Sequence, residues 1–483
     1  MKKKFYITTS IPYVNANPHI GFALELVQAD AVARYRRQLG DMVYFLTGAD
    51  ENSLKNVQAA EKTGLPTSKF VDQNTKRFIE LSDILGISND AFIRTTEPRH
   101  HRGAQKLWSA CKSTDIYKKK YQGLYCVGCE QFYTEKELKD GKCPEHLTVP
   151  EKVEEENYFF KLSNYQKKLE QLIATDKYKI IPETRKNEVL SFIRMGLEDF
   201  SISRSRQRAK NWGVSVPHDK DQVMYVWFDA LSNYITALDY ATAGKKFKQF
   251  WPCDVHVIGK GIIRFHAVYW PVMLLSAGIP LPKTLFVHDY INSAGMKMSK
   301  SLGNVVDPFE VIKKYGTEAT RYYLLRYIHP FKDSDFSFKH FEEVFTADLS
   351  NGVGNLVSRV SGLIEQNKVK IKLVKITAHK DYKAMQTKLN SLMEQFDFNG
   401  ALKFIWDIFG AIDGEISKRE PWVLAKQGKT KELEAILNTA ANQVMAAAYL
   451  LQPFLPGTAQ TIIKTLSAKK IKKGSPLFPR LGA

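Results

Sequence analysis

Two short segments carry residues suited to chemistry at a triphosphate. In Asn15-Ala16-Asn17-Pro18-His19-Ile20-Gly21-Phe22 an imidazole stands where a β-type run gives way to a helical pattern, and the free N–H groups of a helix start favour an anion. Gly21 lets a nucleotide come close to the backbone. In Gly295-Met296-Lys297-Met298-Ser299-Lys300-Ser301-Leu302-Gly303-Asn304 two lysines share a glycine-bounded loop, free to swing onto phosphates and leave again. A transition state at an α-phosphate spreads negative charge over oxygens, and donors and cations of this kind stabilise it. Each segment also has a plainer reading when taken alone, as a helix-capping histidine and as an exposed basic turn.

A third cluster has metal-ligand spacing. Cys126-x-x-Cys129 is followed, after thirteen residues, by Cys143-x-x-His146, four soft or borderline ligands at tetrahedral zinc spacing. Four protein ligands close the coordination sphere, so such a zinc would be structural. The chain has five cysteines, and their clustering fits reduced thiols and a metal better than a disulfide framework.

The elements that must position these groups follow from apolar spacing. Residues 5–9 read as a strand, 22–40 as a helix closed by Gly40, and 42–47 as a second strand, the opening of a βαβ unit. That pattern predicts a parallel sheet with ligands beyond the carboxyl ends of its strands. Residues 118 to about 160 are short, polar, Lys-rich and cysteine-bearing and look inserted; the β pattern returns at 255–258 and 285–288. Residues 225–234 read as one helix, and after about residue 345 only helical patterns remain, including 348–366 and 401–416. With 483 residues, two to four domains are expected. The 70 Lys and Arg against 51 Asp and Glu give a formal charge of +19, which favours a polyanionic partner. No stretch has the length and continuity of an export signal or membrane span, so a cytoplasmic location is expected.

Together the first two segments resemble the paired signatures of class I aminoacyl-tRNA synthetases, His-Ile-Gly-His and Lys-Met-Ser-Lys-Ser, the second complete at residues 297–301. The resemblance implies catalytic roles for His19, Lys297 and Lys300, with ATP and its Mg2+ held around His19, Gly21, Gly259, His288, Lys297 and Lys300. Phe22 departs from the pattern, since it stands where the family has a second histidine and cannot donate a hydrogen bond.

Within the class, Ile11-Pro12-Tyr13, the run Tyr225-Val226-Trp227-Phe228-Asp229-Ala230 and the run Phe265-His266-Ala267-Val268-Tyr269-Trp270-Pro271 are similar to the methionyl-tRNA synthetase family. A polarisable thioether is well held by aromatic walls, although any one of these runs could be ordinary core. The resemblance implies a methionine side chain surrounded by Ile11, Tyr13, Trp227, Ala230, Tyr234, Ile262 and His266, with Asp50 or Glu51 holding the ammonium. It also implies one structural zinc on Cys126, Cys129, Cys143 and His146, and anticodon reading by Asn355, Arg359 and Trp422.

The expected fold is therefore α/β. A Rossmann-type parallel-sheet catalytic domain (1–117 and 211–290) is split by a connective zinc insertion (118–210), then followed by a lysine loop and linker (291–345) and an all-α anticodon-binding domain (346–483). The expected partners are ATP, L-methionine and the methionine-specific tRNA, with no membrane and the chain a monomer. Two rival readings are an amino acid ligase derived from a synthetase and a non-catalytic tRNA-binding protein; methionine-dependent pyrophosphate exchange separates both from the synthetase.

Overall fold

The computed structural model describes residues 2–128, 130–144, 147–293, 295–298, 305–376 and 381–482, with only the backbone of residues 131, 296 and 297. The chain gathers into two compact units, one of residues 1–18, 40–83 and 87–288, the other of 19–39, 84–86 and 289–483.

The first unit is built on strands β1 (Lys4–Thr9), β2 (Met42–Ala49) and β3 (Ala91–Arg94). Beyond their first residues β1 and β2 are buried throughout, as strands covered on both faces of a parallel sheet must be. Next come β4 (Ile116–Cys126), β5 (Gln131–Tyr133), β6 (Glu151–Phe160), β7 (Lys179–Ile181) and β8 (Phe200–Ser201), then β9 (Ser203–Ser205), β10 (Gln222–Met224), β11 (Val255–Gly259) and β12 (Thr284–His288). Six of these form one parallel sheet in the order β3-β2-β1-β11-β12-β7. The order runs outward in both directions from the β1–β11 pair, so the topological switch point lies between those two strands, where ligands bind in open α/β sheets. The insertion is a separate antiparallel sheet in the order β5-β4-β6-β8, with β4 and β6 paired from Ile116↔Phe160 to Tyr125↔Glu151.

Between the strands in chain order come helices α1 (Ile20–Gln38), which belongs to the second unit, α2 (Leu54–Thr63) and α3 (Thr67–Ile84) before β3, α4 (Pro98–Ala110), α5 (Gln166–Ala174) and α6 (Glu183–Arg194). The helix expected over 225–234 is instead two short ones, α7 (Val226–Leu231) and α8 (Asn233–Thr236). At the break Ser232 Oγ donates to Asp229 O at 2.7 Å and Asn233 Nδ2 to Ala230 O at 2.6 Å, local side-chain bonds that compete with a continuous helix. One apolar core joins Tyr6, Leu46, Ile93, Trp108, Phe228 and Trp270 across this unit.

The second unit contains α1, a three-stranded sheet of Ile291–Ser293, Met296–Lys297 and Ser334–Phe336, and the C-terminal helices. Among the described residues no strand follows Phe336, in line with the helical pattern read from the sequence. The segment expected as one helix over 348–366 is a π-helix at Phe345–Gly354 followed by an α-helix at Asn355–Gln366, with Gly352 outside helical geometry (φ −82°, ψ −108°). A fully buried ion pair ties α1 to the helix Thr317–Arg326, with Arg321 Nη2 lying 2.7 Å from Asp30 Oδ2. That contact lacks hydrogen-bond alignment, so Coulomb attraction carries it, while Arg321 Nε donates to Phe454 O and Arg34 Nε to Asp30.

Candidate active site

The carboxyl ends of β1, β2 and β11 lead into segments that carry predicted methionine-binding residues. Ile11 and Tyr13 follow β1, Asp50 follows β2, and Ile262 and His266 follow β11; Tyr13 and Asp50 pair as an isolated bridge, and Asp50 N donates to Pro12 O at 2.9 Å. Trp227, Ala230 and Tyr234 come from α7 and α8. The ring of Trp227 lies flat on Phe265, centroids 3.6 Å apart and planes 6° apart, with Tyr13 edge-on at 6.3 Å and His266 edge-on at 6.4 Å. Of the predicted residues, Tyr13, Trp227, Tyr234, Ile262 and His266 are thus joined by ring contacts and hydrogen bonds, whereas Ile11 and Ala230 share their segments without such a contact to the set among the described residues. Phe265, which the sequence offers only as part of the run 265–271, joins these residues by its stacking on Trp227.

His266 is fixed at both nitrogens. Nδ1 lies 3.0 Å from the carbonyl of Ile262, which can only accept, so Nδ1 carries a proton; Nε2 lies 2.7 Å from the Tyr234 hydroxyl. Tyr234 is held in turn by Tyr6 Oη, which donates to Tyr234 O at 2.7 Å. A π-helix at Phe265–Tyr269 widens the turn that presents the rings of Phe265 and His266, a device frequent at functional sites. Among the described residues, the Tyr13 hydroxyl and the Trp227 indole N–H are buried without a hydrogen-bond partner, polar groups a polar ligand would satisfy.

Of the two candidate carboxylates, Glu51 is already engaged: Arg94 Nε donates to it at 2.7 Å and Thr75 Oγ1 at 2.5 Å, and Thr96 bonds it as well. Asp50 is fully buried and has no cation partner among the described residues, its Oδ1 accepting from Asn52 N at 3.1 Å and Thr95 Oγ1 at 3.3 Å. Burial, and then the negative charges of Asp229 and Glu130, push its pKa well above the usual carboxylate range. A cation brought against it would offset the charge repulsion.

His19 caps α1, its Nδ1 accepting from Gly21 N at 3.1 Å. A Cβ at Gly21 would stand 3.0 Å from that imidazole ring, so glycine keeps the ring in place. Phe22, next along, is buried. Gly259 and His288 are register partners at the carboxyl ends of β11 and β12. Lys300 lies outside the described residues, as does the side chain of Lys297, whose backbone is in the strand Met296–Lys297.

In the insertion Cys126 and Cys143 are buried and unbridged in a small cluster with Tyr133, two soft donors that fit a zinc ion. Cys129 and His146 lie outside the described residues, among which no group of three metal-ligating side chains occurs. In the helical unit Asn355 is exposed on the helix Asn355–Gln366 one turn before Arg359, which is ion-paired with Asp413. Trp422 is half-buried at the start of the helix Pro421–Lys426, with no hydrogen bond or ring contact to either among the described residues. A cavity of about 500 Å³ lined by Tyr121, Phe132, Phe159, Phe192 and Arg264 lies beside the insertion and includes none of the predicted methionine-pocket residues.

The doubly wound parallel sheet, with aromatic side chains and a buried carboxylate beyond the strand ends at its switch point, is that of a class I tRNA synthetase, since the family model described as tRNA synthetases class I (M) matches residues 5–149 and 146–361. The methionine--tRNA ligase of Caldanaerobacter subterraneus subsp. tengcongensis is 40% identical over 514 residues, covering 100% of this chain and 79% of its own length. That of Nostoc sp. is 41% identical, with 96% and 90% covered. The crystal structure of Mycobacterium tuberculosis methionyl-tRNA synthetase bound by methionyl-adenylate superimposes with a TM-score of 0.92 at 36% identity, over 99% of this chain and 100% of that one. The chain belongs to the methionine--tRNA ligase family.

Proposed function

We infer that this chain activates L-methionine with ATP and transfers it to the methionine-specific tRNA. The methionine carboxylate attacks the α-phosphate and pyrophosphate leaves; a ribose hydroxyl at the 3′ end of the tRNA then attacks the activated carbonyl and AMP leaves. The observation that carries the reading lies at the switch point: a stacked Trp227–Phe265 wall, a His266–Tyr234 pair and a buried carboxylate, Asp50, with no cation partner among the described residues. That combination suits an unbranched thioether with an ammonium at its other end.

In this reading Ile11, Tyr13, Trp227, Ala230, Tyr234, Ile262 and His266 hold the side chain and Asp50 the ammonium. His19, Lys297 and Lys300 stabilise charge at the α-phosphate, with Gly21, Gly259 and His288 against the nucleotide and Mg2+ arriving with ATP. Cys126, Cys129, Cys143 and His146 would hold a structural zinc that braces an insertion poor in apolar residues. Asn355, Arg359 and Trp422 are assigned to the anticodon, base stacking falling to the indole. The five-segment domain division given above is part of the same proposal, as is a monomer in the cytoplasm; among the described residues no helix is long and apolar enough to cross a membrane.

The test is ATP–pyrophosphate exchange with zinc-loaded protein and each amino acid in turn. Exchange driven by methionine alone, lost by orders of magnitude in His19→Ala and Lys300→Ala, is the expected result. No exchange with any amino acid in well-folded protein would overturn the reading.

A further inference from the structure

Behind Asp50 lies a chain of buried polar groups whose side-chain hydrogen bonds, among the described residues, reach groups other than the residues assigned to the methionine side chain. Asn52 Nδ2 donates to Asp229 Oδ2 at 2.7 Å and to Thr95 O at 3.0 Å, and Thr95 Oγ1 donates to Asp50 Oδ1. The other oxygen of Asp229 is taken by His100, whose Nε2 lies 2.5 Å from Oδ1 while Nδ1 lies 2.8 Å from Thr236 Oγ1. Asp50, Asn52, Thr95, His100, Asp229 and Thr236 are all at most 7% exposed. In so dry a setting each bond is strong and each broken one costly.

The local fold is arranged to bring His100 there. It sits in the first turn of α4, which opens on Pro98. One turn later Gly103 lets the helix press against α8, since a Cβ at that position would come within 2.4 Å of Thr236 Cγ2. The imidazole therefore bridges α7 and α8, and through Asp229 and Asn52 it reaches the loop that begins at Asp50.

We propose that His100 is a positioning residue that aims the Asp50 carboxylate at the substrate ammonium, acting through Asp229 and Asn52. The inference rests on the methionine reading above and adds to it the group that fixes the ammonium-binding carboxylate. Among the described residues His100 makes no hydrogen bond or ring contact to the side chains assigned to methionine, so its removal should alter recognition of the amino group and leave ATP binding as it was.

The test compares wild type, His100→Ala and His100→Gln, all zinc-loaded and full length, for binding of three probes. Methionine carries thioether and ammonium, methioninol keeps the ammonium without the carboxylate, and 4-(methylthio)butanoate keeps the thioether without the ammonium. In His100→Ala, affinity for methionine and methioninol should fall roughly 10–100-fold, with binding of 4-(methylthio)butanoate and the KM for ATP unchanged. His100→Gln, whose amide can still donate to Asp229, should recover most of the loss. Equal loss on all three probes, a parallel rise in the ATP KM, or unaltered methionine affinity would each overturn the proposal. A wild type that binds neither methionine nor methioninol would instead sink the methionine reading itself.

Discussion

With the proposed role of Asp50, its burial makes methionine recognition depend on pH in a direction that can be worked out. In the free protein its pKa is raised, chiefly by burial, so as pH falls through that raised value the group takes up a proton sooner than an ordinary carboxylate. A protonated Asp50 cannot pair with an ammonium, so methionine affinity should weaken on acidification at a pH above the usual carboxylate range, with proton release on binding in that window. Calorimetry in buffers of different ionisation enthalpy would detect the released proton, and Asp50→Asn should abolish both effects. At the side-chain end, Tyr234→Phe deletes the partner of His266 Nε2. Losing a buried hydrogen bond costs about 1–3 kcal/mol, so the methionine KM should rise about 5- to 150-fold with the ATP KM held, as steady-state exchange assays would show. Tyr13, Trp227, Tyr234 and His266, which the fold joins, are legible as residue types in their runs. The distinction between Asp50 and Glu51 is not, because it depends on Arg94 and Thr75, which the fold brings to Glu51 from elsewhere in the chain.

Among elements, the βαβ opening, the inserted sheet and the late helices all follow from spacing, since period-two and period-3.6 patterns survive wherever a face is buried. The misses have a common cause. The break between α7 and α8 and the π-turn before Asn355 depend on side-chain bonds to the backbone and on a single glycine, and neither alters the apolar period. Close approach of helices is equally silent in the sequence, and Gly103 shows what it is worth. Gly103→Ala would drive a methyl into Thr236, and overpacking of this kind costs about 1–3 kcal/mol. The expected outcome is a lower melting temperature together with a raised methionine KM, because the same contact seats His100; a thermal melt beside an exchange assay checks both.

For the whole molecule, the formal charge of +19 bears on tRNA and little on the small substrates. Phosphate contacts release counterions and make affinity fall steeply with salt. Raising KCl from about 50 to 200 mM should therefore raise the tRNA KM by an order of magnitude or more while methionine-dependent pyrophosphate exchange changes little. The helical unit carries a different vulnerability in its Asp30–Arg321 pair. Asp30→Ala would strand a guanidinium that is 0% exposed, and an uncompensated buried charge costs about 3–5 kcal/mol, a large share of the stability of an ordinary domain. Because the pair lies among helices and holds no substrate, such a variant would surface in a cell as scarcity. Quality control would clear much of the chain before it worked, the surviving molecules would charge tRNA at the normal turnover, and slow growth would be cured by overexpression without any change in catalysis.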